Sequence, residues 1–132
     1  MASVFAKLNL KDQREILVVD PPSSFEAELA GLAGVDVLRD PRQVTNVGFA
    51  LLFAASQADV DRLSALMPQK LETDAIFWIA YPKGSSGKYR CDFNRDSGWH
   101  VLRQQGFDSV RQVAIDEDWS ALRFRRVEYI RR

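Results

Sequence analysis

Residues 16–24 read ILVVDPPSS. The run Ile16–Asp20 is aliphatic and β-branched, with no polar alternation before its closing carboxylate. Such a run belongs to a central parallel strand whose two faces are both covered. Pro21 and Pro22 each fix φ and lack an N–H, so they end the strand at once. Ser23 then reads as a helix cap, with Glu26 three residues on to close a capping box. Phe25, Leu29 and Leu32 follow at helical spacing and make one apolar face.

The same strand–punctuation–helix grammar continues along the chain. Val35–Leu38 reads as a short second strand, followed by an Asp40-Pro41 turn. Gly48–Ala54 (GFALLFA) is a third strand, apolar on both faces. Ser56 and Asp59 make a capping pair for a helix that buries Val60, Leu63, Leu66 and Met67 and is limited by Pro68. Ala75–Tyr81 (AIFWIAY) is a fourth strand, ended by Pro82. Its aromatic and β-branched content suits a strand. A helix is predicted over Ser97–Gln105 with Trp99 and Leu102 inward, stopped by Gly106. Val110–Ile115 and Ala121–Tyr129 are the fifth and sixth strands. In the sixth, Leu122 and Phe124 share one parity and Val127 and Tyr129 the other, which predicts a β-bulge near Arg125-Arg126. Val4–Leu8 is a short leading helix or a lid over one end of the core.

Strand–helix–strand order with buried-type strands implies a three-layer α/β domain with a mostly parallel sheet of about six strands. The segment Asp116–Ser120 is too short for a crossover, so the last two strands must pair antiparallel. A Rossmann-like sheet that ends in an antiparallel hairpin resembles the class I methyltransferase layout. That resemblance implies the order 2-1-3-4-6-5, with one strand only outside the first.

The chain has 132 residues, 46% hydrophobic and 27% charged. This is ordinary globular composition and excludes a wholly disordered or collagen-like chain. It suffices for one core, and the whole of 1–132 reads as a single domain. Lys plus Arg and Asp plus Glu number 18 each, so bulk charge gives a polyanion no help. Cys91 is the lone cysteine, which excludes an internal disulfide and a Cys-rich zinc site and points to a reducing cytoplasm. Met1–Leu10 shows no signal peptide, and no apolar run approaches the roughly 20 residues of a membrane span.

Three segments carry a further resemblance: ILVVDPP at Ile16–Pro22, WIAYPKGSSG at Trp78–Gly87 and DEDWSALRFRR at Asp116–Arg126. In these the chain resembles a family of small bacterial proteins, the domain of unknown function DUF3052. The resemblance implies a compact α/β domain and transfers no catalytic residues.

Open α/β sheets bind ligands beyond the carboxyl ends of their strands. That gathers Asp20, Ser23 and Ser24 after the first strand, the turn near Ala55-Ser56, and the loop Tyr81–Lys88 around one crevice. Lys83, Ser85, Ser86, Gly87 and Lys88 have the N–H groups, hydroxyls and ammoniums that hold a phosphate or carboxylate, although the spacing is not that of a P-loop. The first turn has Asp20-Pro21-Pro22 in place of the glycines that let a backbone approach a nucleotide or S-adenosylmethionine. No cofactor and no metal are therefore expected. His100 and Cys91 stand in no catalytic context. Asp116, Glu117 and Asp118 read as a solvated turn, and Trp119 as a plug for the end of the core. Arg123, Arg125, Arg126, Arg131 and Arg132 could meet nucleic acid phosphates, but Arg123 and Arg125 alternate as the solvent side of an edge-type strand does, which argues against that partner. The expectation is a noncatalytic or regulatory domain that binds a protein partner or a small anionic molecule, away from membranes. The alternative is a small diverged group-transferase, methyltransferase-like, acting in the crevice.

Overall fold

The computed structural model describes residues 4–93 and 97–130. Among them, six strands form one sheet: β1 (Glu15–Val19), β2 (Asp36–Leu38), β3 (Val47–Phe53), β4 (Leu71–Pro82), β5 (Phe107–Ala114) and β6 (Trp119–Arg126). The order is β2-β1-β3-β4-β6-β5. β1, β2, β3 and β4 pair parallel, while β6 runs antiparallel to both β4 and β5. The helices are α1 (Val4–Lys7), α2 (Glu26–Ala30), α3 (Gln57–Leu66) and α4 (His100–Gln104).

Period-two alternation in the central strands sends side chains into two separate cores. Leu17, Val19, Ala50, Leu52, Phe77 and Ile79 face α3 and α4, where Val60, Leu63 and Leu102 are buried. Ile16, Val18, Phe49, Leu51 and Trp78 face α1 and α2, where Phe5, Phe25 and Leu29 are buried. α1 is more than a lid. Its last turn is fastened by the Trp78 indole N–H, which donates to the Leu8 carbonyl at 2.8 Å, and Lys7 Nζ reaches the Ala114 carbonyl at 2.9 Å.

Several local expectations are corrected. Ser23 caps nothing: Ser23–Phe25 is a 3-10 turn, and neither it nor α2 has a side-chain cap. The reason lies in Glu26, whose carboxylate is gripped by both Arg39 nitrogens at 2.8 Å and so cannot close a capping box. The helix predicted from Ser97 begins only at His100, because Gly98 sits at φ +96°, outside any helix. β4 starts at Leu71 rather than Ala75; its register with β3 shifts between Val47 and Phe49, and Asp74 lies at φ +52°.

The bulge is on the other strand of the hairpin. Ser109 pairs with Phe124 and Arg111 with Arg123, which leaves Val110 extra and exposed on β5. β6 stops at Arg126 and hands over to a 3-10 turn at Val127–Tyr129. The change of parity thus marks the end of the strand. β6 is also interior to the sheet, not an edge; two of its arginines are engaged, while Arg123 is half-buried with its Nε unpartnered among the described residues. Arg125 makes a two-pronged pair with Asp74 at 2.7 and 2.6 Å. Arg126 donates to the Pro68 carbonyl and lies over the Phe107 ring. Arg131 and Arg132 lie outside the described residues.

Candidate functional site

At the carboxyl end of β1 the chain bends sharply. Asp20 is exposed and takes a left-handed φ of +53°, the conformation a glycine usually supplies. Pro21 and Pro22 follow without N–H groups, and the Phe25 N–H is taken by the Pro22 carbonyl at 2.9 Å. Ser23 and Ser24 are exposed. In dinucleotide folds an acid about twenty residues past this turn grips a ribose hydroxyl. Asp40 holds that position, but Arg42 occupies it. Arg42 Nε and Nη2 donate to Asp40 Oδ2 at 3.0 and 2.7 Å, and the Arg42 N–H donates to Oδ1. This pairing lowers the Asp40 pKa to about 2. The β1 exit therefore does not fit a nucleotide or adenosyl group cradled by backbone donors.

The room lies two strands further along the sheet. Past β4 the chain encloses a cleft of about 480 Å³, lined by Tyr81, Pro82, Lys83, Gly84, Ser86, Gly87, Lys88, Tyr89, Arg90, Cys91 and Phe93. Ser86 organises its rim. Its hydroxyl donates to Asp118 Oδ1 at 2.8 Å and accepts the N–H groups of Lys88 and Tyr89, both at 3.1 Å. The Lys83 N–H donates to the Asp118 carbonyl, and the Ser86 N–H closes back on the Lys83 carbonyl. Short polar side chains that bond their own backbone fix such turns.

The far wall is anchored from α3. Asp92 Oδ1 accepts the Gln57 N–H at 2.7 Å, and Gln57 Nε2 donates to the Gly98 carbonyl at 2.8 Å. Tyr81, Phe93 and Trp99 then meet ring to ring, with centroids 5.2–5.9 Å apart.

The predicted residues therefore divide. Lys83, Ser86, Gly87 and Lys88 line the cleft, whereas Ser85 does not. Asp20, Ser23 and Ser24 stand at the β1 exit and do not line it either. Ser86 serves the loop rather than a ligand, because its hydroxyl is committed on both sides. The Asp116–Asp118 turn is solvated only in part: Asp116 Oδ1 accepts the N–H groups of Asp118 and Trp119, while the half-buried Asp118 holds the Ser86 hydroxyl. Trp119 is buried between Phe53 and Tyr89. His100 is exposed at the start of α4. Burial pushes the Cys91 thiol up, so it stays protonated at neutral pH. The sequence reading missed Tyr89, Arg90 and Phe93 as cleft residues. Their only signal was position: they continue past the glycine-bearing loop that follows β4. Among the described residues, no group of three or more His, Cys, Asp or Glu is placed to hold a metal. Among the same residues, no helix is long and apolar enough to cross a membrane.

A sheet ordered 2-1-3-4-6-5 with β6 antiparallel is the Rossmann-like fold of class I methyltransferases. A SAM dependent methyltransferase from Aquifex aeolicus matches with a TM-score of 0.58 at 13% identity, covering 92% of this chain and 86% of that one. The fibrillarin pre-rRNA processing protein of Methanococcus jannaschii matches with a TM-score of 0.55 at 14% identity, covering 87% and 67%. The pyocyanin biosynthetic protein PhzM also matches at 0.55 and 14%; the chain spans 54% of its length. No protein-family model matches the sequence. No curated protein matches it.

These likenesses bear on fold, and they overturn the expectation of a noncatalytic or regulatory domain. That expectation rested on the missing glycine turn at β1. The fold is one whose solved examples include methyltransferases, and the chain keeps an open cleft, displaced to the β4 exit.

Proposed function

We propose that the protein is a small diverged group-transferase, methyltransferase-like, that acts on a small anionic molecule at the carboxyl edge of its sheet. The observation that carries this reading is the 480 Å³ cleft past β4, on a sheet of methyltransferase order. Its volume falls within the range of small-molecule sites. Lys83, Gly87 and Lys88 hold the substrate, and Ser86 shapes the loop that presents them. Asp20, Ser23 and Ser24 are exposed at the β1 exit, two strands from the cleft on the same edge of the sheet, where they meet the outer part of a donor. The group donor itself is not cradled by the β1 turn, whose prolines remove the needed N–H groups. The chain further belongs, in this reading, to the DUF3052 family and works in a reducing cytoplasm. Supporting the family assignment, the three resembling segments build the β1 exit, the cleft loop, and the hairpin turn with β6.

The test is a thermal-shift titration of the full chain with S-adenosylmethionine, nucleoside triphosphates and acyl-coenzyme A as donors. Wild type and Gly87→Trp are compared. A Cβ at Gly87 meets nothing within 4 Å, so the indole narrows the cleft without disturbing the core. A donor near a hundred times its Kd should raise the Tm by about 5–10 °C. The rise should vanish in Gly87→Trp. No shift with any donor, or an equal shift in both proteins, overturns the reading.

A further inference from the structure

The cleft past β4 has two unlike halves. Its floor is aromatic: Tyr81 and Phe93 are 4% and 7% exposed, and both rings are braced against Trp99. The Tyr81 hydroxyl already accepts a hydrogen bond from Gln112 Nε2 at 3.0 Å, so the ring is what remains to meet a ligand. Tyr89 rises beside this floor, held at 5.0 Å from the Trp119 ring.

The rim is cationic. Lys83, Lys88 and Arg90 line it, and among the described residues no carboxylate does. Among the described residues none of the three makes an ion pair. Asp118 and Asp92 are committed elsewhere, to Ser86 and to Gln57. Among the described residues, three cations without an ion pair over a partly dry floor leave a positive potential that an anionic ligand answers.

We propose that this cleft takes a small aromatic molecule bearing one anionic group, a carboxylate or a phosphate. The ring lies against Tyr81, Phe93 and Tyr89, and the anion meets Lys83, Lys88 and Arg90. Size separates this ligand from a bare ion, since inorganic phosphate leaves most of a 480 Å³ space to water. Offset or edge-on ring contacts favour a planar body over an aliphatic one, and charge-assisted hydrogen bonds fix the other end. The inference rests on the group-transferase reading, for which it names the substrate class.

The test is calorimetric titration of the full chain with benzoate, phenyl phosphate, benzyl alcohol and inorganic phosphate. At least one aryl anion should bind, with the neutral alcohol and the bare phosphate at least tenfold weaker. Lys83→Ala, Lys88→Ala and Arg90→Ala combined should weaken the aryl anion at least tenfold with an unchanged Tm, and Gly87→Trp should do the same by filling the space. Absence of aryl-anion binding, equal affinity for the alcohol or for inorganic phosphate, or indifference to both variants overturns the assignment. The two readings fail separately. An aryl anion bound by a protein that no donor stabilises keeps this site and removes the transferase. A stabilising donor without aryl-anion binding keeps the transferase and removes this substrate class.

Discussion

Gly98 shows how much rests on one missing side chain. At φ +96°, a Cβ there would stand 2.5 Å from Gln57 Oε1 and 2.8 Å from Phe93 Cβ. The left-handed backbone alone costs an L-residue about 1–2 kcal/mol, and overpacking adds about 1–3 kcal/mol. Gly98→Ala should therefore lose roughly 2–5 kcal/mol in urea unfolding. It should also disturb the cleft, because Gln57 and Phe93 are the groups displaced. The closest constraint on Gly98 is not legible in the sequence, since Gln57 comes from 41 residues away. Lys83, Gly87 and Lys88 were legible because they sit in a polar loop just past a strand. The commitment of Ser86 to Asp118, 32 residues on, was not.

At the level of elements, what could be read locally was read well. α3 is the clearest case. Ser56 Oγ accepts the Asp59 N–H at 3.2 Å; of the expected stripe Val60, Leu63 and, just past the helix, Met67 are buried, while Leu66 is only half-buried. Ser56→Ala should cost about 0.5–2 kcal/mol, measured by chemical denaturation. The loss should fall toward the low end, because Asp92 still serves the Gln57 N–H at the same helix start. α2 shows the opposite. Its Ser-x-x-Glu pattern is a genuine capping signature, overridden by Arg39 arriving from beyond β2. In the hairpin, the broken alternation of β6 was visible, but not which strand absorbs it. A bulge satisfies a pair of strands, and one strand's sequence does not reveal its partner's register.

Over the whole molecule, the strand order followed from a short Asp116–Ser120 gap and a resemblance, and both proved sound. The site proved harder, because the crevice rule names an edge of the sheet, not which gap along it stays open. Here Phe25, Phe53 and Trp119 pack together on the β1–β3 side, and the space is left past β4.

The charge map carries a global consequence as well. Asp40, Glu26 and Asp74 are each held below the ordinary carboxylate range by side-chain hydrogen bonds from Arg42, Arg39 and Arg125. A depressed carboxylate pKa stabilises the fold above the unfolded value and loses that contribution as pH falls through the folded one. For Asp40 the window runs from 3.8 down to about 2. The Tm should decline as acid is added below about pH 4.5, more gently in high salt because the pairs are exposed. A variant combining Asp40→Asn, Glu26→Gln and Asp74→Asn should show a flatter profile. An unchanged slope would assign acid sensitivity to other groups.

The main chain leaving β1 is already folded along the path a glycine hinge would give it, with an aspartate tolerating the twist. Converting this protein into a conventional nucleotide binder would not require a new bend. It would require restoring two amide hydrogens, by exchanging Pro21 and Pro22 for residues that carry them.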